Sequence, residues 1–272
     1  MRVAVLLSGR VKKYTNFLKL LKKYASDNSY NQIDVFISAN DTWCEFYDTL
    51  KKNFGNLLKD INIEPYVVDP IFKNNIYLTN QNITLKNWTH PTTTLYNMTF
   101  TSLSMLYNDQ KSFNMAEKYA EHNNFQYDLY IRTRTDIVHN SFPFVDMFCK
   151  LDKNILYCVN PLSKFTLCIT DNIDGEYRDG KFYCYDDVRY NNKSVTGDIA
   201  FGNKDNMNIY CNAYNYYLEK NKQKNGNVYI IHECAITVYL YDIGVNWKMF
   251  EFDYVYETNR NEMETNCNQL DV

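Results

Sequence analysis

The chain has 272 residues, a formal net charge of −3 and a pI of about 5.8, which together argue against a broad electrostatic surface for nucleic acid. Hydrophobic residues make up 45% and charged residues 22%, the balance of an ordinary globular protein with a sizeable core. No apolar run reaches the roughly 18 residues of a membrane-spanning helix. We therefore expect no nucleic-acid partner and no transmembrane segment.

The cysteines and the beginning of the chain both indicate a cytoplasmic protein. The eight cysteines are scattered and form no Cys-x-x-Cys pair, which argues against a structural zinc site and is typical of reduced thiols. The apolar run that begins the chain is too short for a signal peptide. Its β-branched and aliphatic residues predict a buried strand instead.

The first part of the chain alternates between strand and helix patterns. The predicted elements are, in order, a strand at 2–7, a helix at 14–24, a strand at 34–38, a helix from Asn40 to about 54 and a strand at 61–68. Strands that are separated by helices in this way predict a parallel sheet with right-handed crossovers.

The rest of the chain is less regular. A long surface excursion is predicted at 69–94 and a polar stretch, either a flap over a site or a disordered loop, at 170–193. The predicted helices are 96–123, as one helix or a kinked pair, 204–222 and 234–241. The predicted strands are 129–131, 155–159, 194–202, 228–231 and 247–256. Because no repeat or linker is visible, we expect one domain over 1–256 and a polar tail over 257–272.

A charged segment follows the apolar residues Leu129–Ile131. Arg132, Arg134 and Asp136 are spaced two apart, so they project to one face if the strand continues that far. In α/β sheets, ligands bind at the carboxyl ends of parallel strands. Two guanidinium groups there suit a phosphate-bearing ligand, and a carboxylate can hold a divalent cation. The alternative is an edge strand whose charges are solvated or paired with each other.

The turn after the first strand, Ser8-Gly9-Arg10, is a second candidate site. Gly9 permits a sharp turn or a close approach to a ligand, Ser8 offers a hydroxyl group, and Arg10 offers a planar fork that suits phosphate. Neither the Gly-x-Gly-x-x-Gly fingerprint nor the P-loop motif is present. A plain connection between a strand and a helix is the alternative.

Three segments together resemble a known family. "RVAVLLSGRVKKY", "YDLYIRTRTDIV" and "TGDIAFGN … HECAITVYL" are similar to a group of glycosyltransferases found in bacterial polysaccharide clusters and in giant DNA viruses. The resemblance runs to about Leu240. It implies a single GT-A-like α/β domain with a Rossmann-like, mostly parallel sheet flanked by helices. The nucleotide-binding half would cover about 1–138, and the acceptor half about 139–256.

The resemblance also implies an activity. Such an enzyme moves a sugar from a nucleotide-sugar, with a UDP-sugar favoured, to a glycan or glycoprotein acceptor. The product would belong to a viral or surface glycan, and a viral enzyme would work in the host cytoplasm. The residues that the resemblance brings to the nucleotide are Ser8, Gly9 and Arg10.

The family's Asp-x-Asp element, which binds the donor diphosphate through a divalent cation, corresponds to the segment that ends at Asp136. This chain departs from the element, because Arg134 stands at its first acidic position. Either Asp136 alone holds Mn²⁺ or Mg²⁺, or Arg132 and Arg134 neutralise the diphosphate without a metal. The first alternative is favoured.

The resemblance implies a general base at Glu233, which would take a proton from the acceptor hydroxyl in an inverting mechanism. Asp198 is the competing residue, and it could instead bind hydroxyl groups of the donor sugar. A retaining mechanism would not need Glu233 as a base. A purely structural carboxylate in the first turn of a helix is the alternative for Glu233.

Two other functions stay open. A nucleotidyl- or sulfotransferase would share the α/β beginning and the arginines, but it should carry a phosphate-cradling Gly/Lys loop, which the sequence lacks. A catalytically degenerate nucleotide-sugar-binding protein would explain Arg134 in an acidic position. Metal-dependent donor binding with turnover would separate a glycosyltransferase from both.

Overall fold

The computed structural model describes residues 1–9, 11, 14–27, 31–40, 47–65, 69, 95–134, 137–139, 142–161, 175–178, 181–184, 198–223, 232–252 and 254–256. The predictions for the excursion at 70–94, the strand at 228–231 and the tail at 257–272 lie outside these residues.

Strands and helices alternate in the described residues up to 133, and beyond them runs of strands and of helices follow one another. The strands are β1 (Arg2–Ser8), β2 (Gln32–Asn40), β3 (Leu58–Glu64), β4 (Leu129–Thr133), β5 (Ile137–His139), β6 (Leu156–Pro161), β7 (Gly175–Arg178), β8 (Lys181–Cys184), β9 (Ile199–Gly202), β10 (Trp247–Phe252) and β11 (Tyr254–Tyr256). The helices are α1 (Thr15–Asp27), α2 (Tyr47–Phe54), α3 (Leu95–His122), α4 (Phe144–Phe148), α5 (Lys204–Cys211), α6 (Ala213–Gln223) and α7 (His232–Asp242).

The main sheet has seven strands in the order β10-β6-β9-β4-β1-β2-β3. All neighbours are parallel except β9, which is antiparallel to both β4 and β6. Two small antiparallel pairs, β5 with β11 and β7 with β8, stand apart from it. The predicted α/β fold with a mostly parallel, Rossmann-like sheet is confirmed.

Helices cover both faces of the sheet because the central strands are apolar on both sides. Successive side chains of a strand alternate between the faces. Val3 and Val5 therefore pack in one cluster with side chains of α1, α2 and α4, whereas Ala4 and Leu6 pack in another with side chains of α3, α5, α6 and α7. A strand that is buried on both faces is typical of a parallel sheet between helical layers.

Several element boundaries differ from the prediction. The third strand begins at Leu58, directly after a 3₁₀ turn at Gly55–Leu57, because Gly55 adopts a φ of 58° and redirects the chain early. The helix predicted over 204–222 is divided at Asn212, which ends α5 before α6 begins. The strand predicted over 247–256 is two strands with different partners.

The long helix and the polar stretch were left open by the sequence. α3 is a single helix of 28 residues rather than a kinked pair. Within the polar stretch, the described residues form the antiparallel pair β7 and β8. None of the helices in the described residues is long and apolar enough to cross a membrane.

The topology gathers polar side chains at one edge of the sheet. Ser8 at the end of β1 is in register with Ser38 of β2, and Leu7 with Thr133 at the end of β4. Because β9 runs antiparallel to β4, its first residues lie at this same edge. β2 and β3 lie on one side of β1 in the sheet, and β4 lies on its other side, so the direction of strand addition reverses at β1. Such a reversal of strand order opens a crevice where α/β proteins bind ligands.

Candidate functional site

The turn after β1 begins with a glycine in a left-handed conformation. Gly9 has a φ of 87°, which an L-residue with a side chain adopts only under strain. A Cβ atom at Gly9 would meet no heavy atom within 4 Å, so the backbone conformation, rather than lack of space, explains the glycine. Arg10 lies outside the described residues.

A buried carboxylate joins the ends of β1 and β4. The Ser8 hydroxyl donates a hydrogen bond to Oδ1 of Asp109, and Nε of Arg132 donates to the same oxygen at 2.7 Å. All three side chains are inaccessible, with exposed fractions of 1%, 1% and 0% for Ser8, Asp109 and Arg132. Asp109 lies on α3, so this helix is fixed to the two strands that flank the crevice.

Burial dominates the electrostatics of this pair. It raises the pKa of Asp109 above its usual range, while Arg132 and the Ser8 hydrogen bond oppose that shift. Burial would lower the pKa of Arg132, but the Asp109 carboxylate offsets it and raises the pKa overall. Arg132 is therefore held in its charged form, and the carboxylate depends on Ser8 and Arg132 to stay ionised.

A second ion pair lies nearer the surface. Nη1 of Arg134 is 3.1 Å from Oδ1 of Asp198, and the two side chains are 21% and 4% exposed. Asp198 comes directly before β9, so the antiparallel course of that strand brings it to the end of β4. The charge of Arg134 also opposes the rise in the pKa of Asp109, which indicates that the two ion pairs are close enough to interact.

The two arginines form ion pairs with different carboxylates. β4 ends at Thr133, so the strand does not continue to Arg134 and Asp136 as their common projection required. Arg132 contacts Asp109 on α3, whereas Arg134 contacts Asp198. β4 is also an interior strand between β1 and β9, which excludes the edge-strand alternative. Asp136 lies outside the described residues.

A neutral polar contact supports the same helix over β2. The hydroxyl of Ser38 donates to Oδ1 of Asn108 at 2.8 Å, and Nδ2 of Asn108 donates to the Ser104 carbonyl at 2.7 Å. Adjacent residues of α3, Asn108 and Asp109, thus hold the ends of two neighbouring strands. Neither residue was predicted from the sequence. The available signal was a pair of adjacent polar residues inside a predicted helix.

The position of Glu233 follows from the path of α7, of which it is the second residue. Ile236 and Leu240 of this helix are buried in the cluster that also contains side chains of α3, and the helix ends shortly before β10. β10 begins at the edge opposite to the crevice, since it is parallel to β6 and β1. The start of α7, with Glu233, is therefore directed towards the edge where Asp198 lies. Only the backbone of Glu233 is described.

The described side chains do not fit a divalent cation. Among the described residues, no three His, Cys, Asp or Glu side chains are grouped as metal ligands. The two carboxylates at the crevice, Asp109 and Asp198, each form an ion pair with an arginine. Asp136, the residue predicted to hold a metal, lies outside the described residues, so Mn²⁺ or Mg²⁺ stays a prediction.

The fold and the site define a mixed α/β protein with paired charges at the carboxyl ends of its parallel strands. No protein-family model matches the sequence, and no curated protein matches it either. One solved structure with a similar course is the nucleoside-diphosphate-sugar pyrophosphorylase from Vibrio cholerae RC9. It is 11% identical over 93% of this chain and 94% of its own, with a TM-score of 0.44. The likeness is loose and does not identify the reaction.

Proposed function

We propose that this protein is a glycosyltransferase that binds the diphosphate of a nucleotide-sugar, with a UDP-sugar favoured, between the ends of β1 and β4. One observation carries the proposal. Arg134, a partly exposed cation, lies at the reversal of strand order, where the chain also makes the left-handed turn at Gly9. The resemblance of three sequence segments to glycosyltransferases supports sugar transfer as the reaction.

The diphosphate group would be bound by charge and by backbone. A guanidinium has five N–H donors, more than one carboxylate accepts, so Arg134 can hold Asp198 and bind phosphate oxygens together. The turn at Gly9 lets the backbone approach the phosphates closely. Arg10, the next residue, would add a second cation. Arg132 is fully buried, so its role in the proposal is to support the end of β4 rather than to touch the ligand.

The reaction needs a leaving group and a base. The acceptor hydroxyl oxygen forms a bond to the anomeric carbon of the sugar, the bond from that carbon to the diphosphate breaks, and the electron pair leaves with the diphosphate. Arg134 stabilises the negative charge that develops there. Glu233 takes the proton of a glycan or glycoprotein acceptor, and a helix N-terminus favours its ionised form.

Asp198 would position the donor sugar. Its carboxylate is almost completely buried and is engaged by Arg134, which favours binding of sugar hydroxyl groups over proton abstraction. Asp136 would hold Mn²⁺ or Mg²⁺, which when bound supplies further positive charge to the diphosphate. The ion-paired state of both crevice carboxylates favours one alternative, a protein that binds nucleotide-sugars without turnover.

Replacing Glu233 with glutamine should lower sugar transfer by ~10²-fold or more, because the amide cannot accept the proton. The dissociation constant for UDP should stay within about twofold, since the side chain acts on the acceptor. Sugar transfer is measured as UDP release from a panel of UDP-sugars with simple glycosides as acceptors. The dissociation constant for UDP is measured by calorimetry.

The matched control is Glu219→Gln on α6, which removes an exposed carboxylate and should change neither quantity. Unchanged transfer in Glu233→Gln would exclude that residue as the base and move the role to Asp198 or to another residue. Wild-type protein that binds a UDP-sugar but never releases UDP would support the binding-only alternative.

A further inference from the structure

We propose that Asp109 is a positioning residue of the ligand crevice, which sets the relative placement of the β1 and β4 ends through Ser8 and Arg132. This inference rests on the proposed nucleotide-sugar site. It assigns a role to a helix residue that lies outside the three segments of sequence resemblance. It also changes the role of Ser8 from a ligand contact to a part of the support.

The contacts select Asp109 for this role. One oxygen, Oδ1, accepts from the last residue of β1 and from a residue near the end of β4. These are the two strands between which the order of the sheet reverses. A small change at Asp109 would therefore alter the spacing between Gly9, which follows Ser8, and Arg134, which follows Arg132 by two residues. Both are groups that would contact the diphosphate.

The direction of the Ser8 hydrogen bond determines which donor groups of the crevice can bind a phosphate. A hydroxyl has one proton to donate. Ser8 donates it to Asp109, and its side chain is 1% exposed, so this hydroxyl cannot donate to a phosphate oxygen. Phosphate would be bound by backbone N–H groups of the turn and by arginine side chains. The site thus selects an anionic diphosphate through charge and backbone, without a hydroxyl donor from β1.

Stability alone does not account for a buried ion pair. Apolar residues of similar volume often replace such pairs without loss of stability. In addition, Oδ2 of Asp109 makes no hydrogen bond with the described residues, although it is buried. A positioning role explains a buried carboxylate with one unsatisfied oxygen, because its other oxygen holds two strand ends at once.

Asp34 provides a matched control for Asp109. Like Asp109 it is a buried aspartate, but it lies on a strand of the main sheet, where it contacts Tyr127 at 2.8 Å and Lys59 at 3.3 Å. It lies on β2 opposite Ala4, in the first half of both strands and away from the crevice. An Asp→Asn substitution removes one buried charge at either position, so the two variants differ in location rather than in chemistry.

The experiment measures melting temperature and the dissociation constant for UDP, by calorimetry, in Asp109→Asn and Asp34→Asn. Both variants should lose several degrees of thermal stability. Asp109→Asn should weaken UDP binding about tenfold, because misplaced strand ends impair the bound geometry, whereas Asp34→Asn should bind as wild type. A double-mutant cycle with Ser8→Ala should show non-additive losses of affinity, since both act through the same contact.

Unchanged UDP affinity in Asp109→Asn, or equal losses in both variants, would overturn the positioning role while leaving the proposed function intact. Wild-type protein that binds neither UDP nor any other nucleoside diphosphate would overturn both the positioning role and the proposed function. Should Asp109→Asn fail to fold, Ser8→Ala keeps the ion pair and removes only the hydroxyl. It should then weaken UDP binding roughly threefold through the altered β1 end, and unchanged binding there would overturn the role.

Discussion

Replacing Arg134 with alanine should weaken the binding of a nucleoside diphosphate by roughly 10²- to 10⁴-fold. The reason is the loss of two charge-assisted hydrogen bonds to phosphate, each contributing about 1.5–3 kcal/mol, where about 1.4 kcal/mol is a factor of ten. Arg134 keeps a partly exposed side chain at the crevice, whereas Arg132 is buried. Titration calorimetry with UDP measures the effect.

Two controls separate the geometry of Arg134 from its charge. Arg134→Lys keeps the charge but loses the planar fork, so about a tenfold loss of affinity is expected. Lys52→Ala removes an exposed cation from α2 and should leave UDP binding unchanged. Arg134→Ala protein that binds UDP as tightly as wild type would place the diphosphate elsewhere.

Replacing Arg132 with methionine should lower the free energy of unfolding by about 3–5 kcal/mol. The substitution leaves the Asp109 carboxylate buried without its cation, which is among the most destabilising changes in a protein interior. Burial already raises the pKa of Asp109 against the influence of Arg132, so the loss of the arginine removes the main group that keeps it ionised. Urea unfolding at pH 7, followed by circular dichroism, measures the change.

A second substitution, at Asp109, tests whether the unpaired charge causes this loss of stability. Adding Asp109→Leu to Arg132→Met removes the remaining charge and should recover most of the stability, because an apolar pair needs no compensation. The single variant should also regain stability at low pH, where a proton neutralises Asp109. A double variant that is less stable than Arg132→Met alone would show that side-chain packing, not the unpaired charge, causes the loss of stability.

The regular elements could be predicted because local patterns define them. The apolar run of β1 and the alternation of strands with α1 and α2 indicated a parallel α/β sheet. The position of Gly9 directly after β1 was also visible, since a glycine after a buried strand is a recognisable turn signal. Local signals, however, do not carry strand order.

The partners in the site could not be predicted for that reason. Asp109 precedes Arg132 by 23 residues and follows Ser8 by 101, and only the packing of α3 brings them together. Likewise, the pairing of Arg134 with Asp198 depends on the antiparallel course of β9, which the sequence did not reveal. The expectation that Arg132 and Arg134 share one face failed because β4 ends between them, at Thr133.

Thermal shift of the wild-type protein against UDP-, GDP-, CMP- and dTDP-sugars, each with and without Mn²⁺, tests the central claim most directly. A ligand that binds only the folded state raises the melting temperature by mass action. We expect a shift with one nucleotide family, UDP-sugars first, that is lost in Arg134→Ala and is larger with metal if Asp136 binds it. No shift with any donor in either condition would contradict a nucleotide-sugar site at the crevice between β1 and β4.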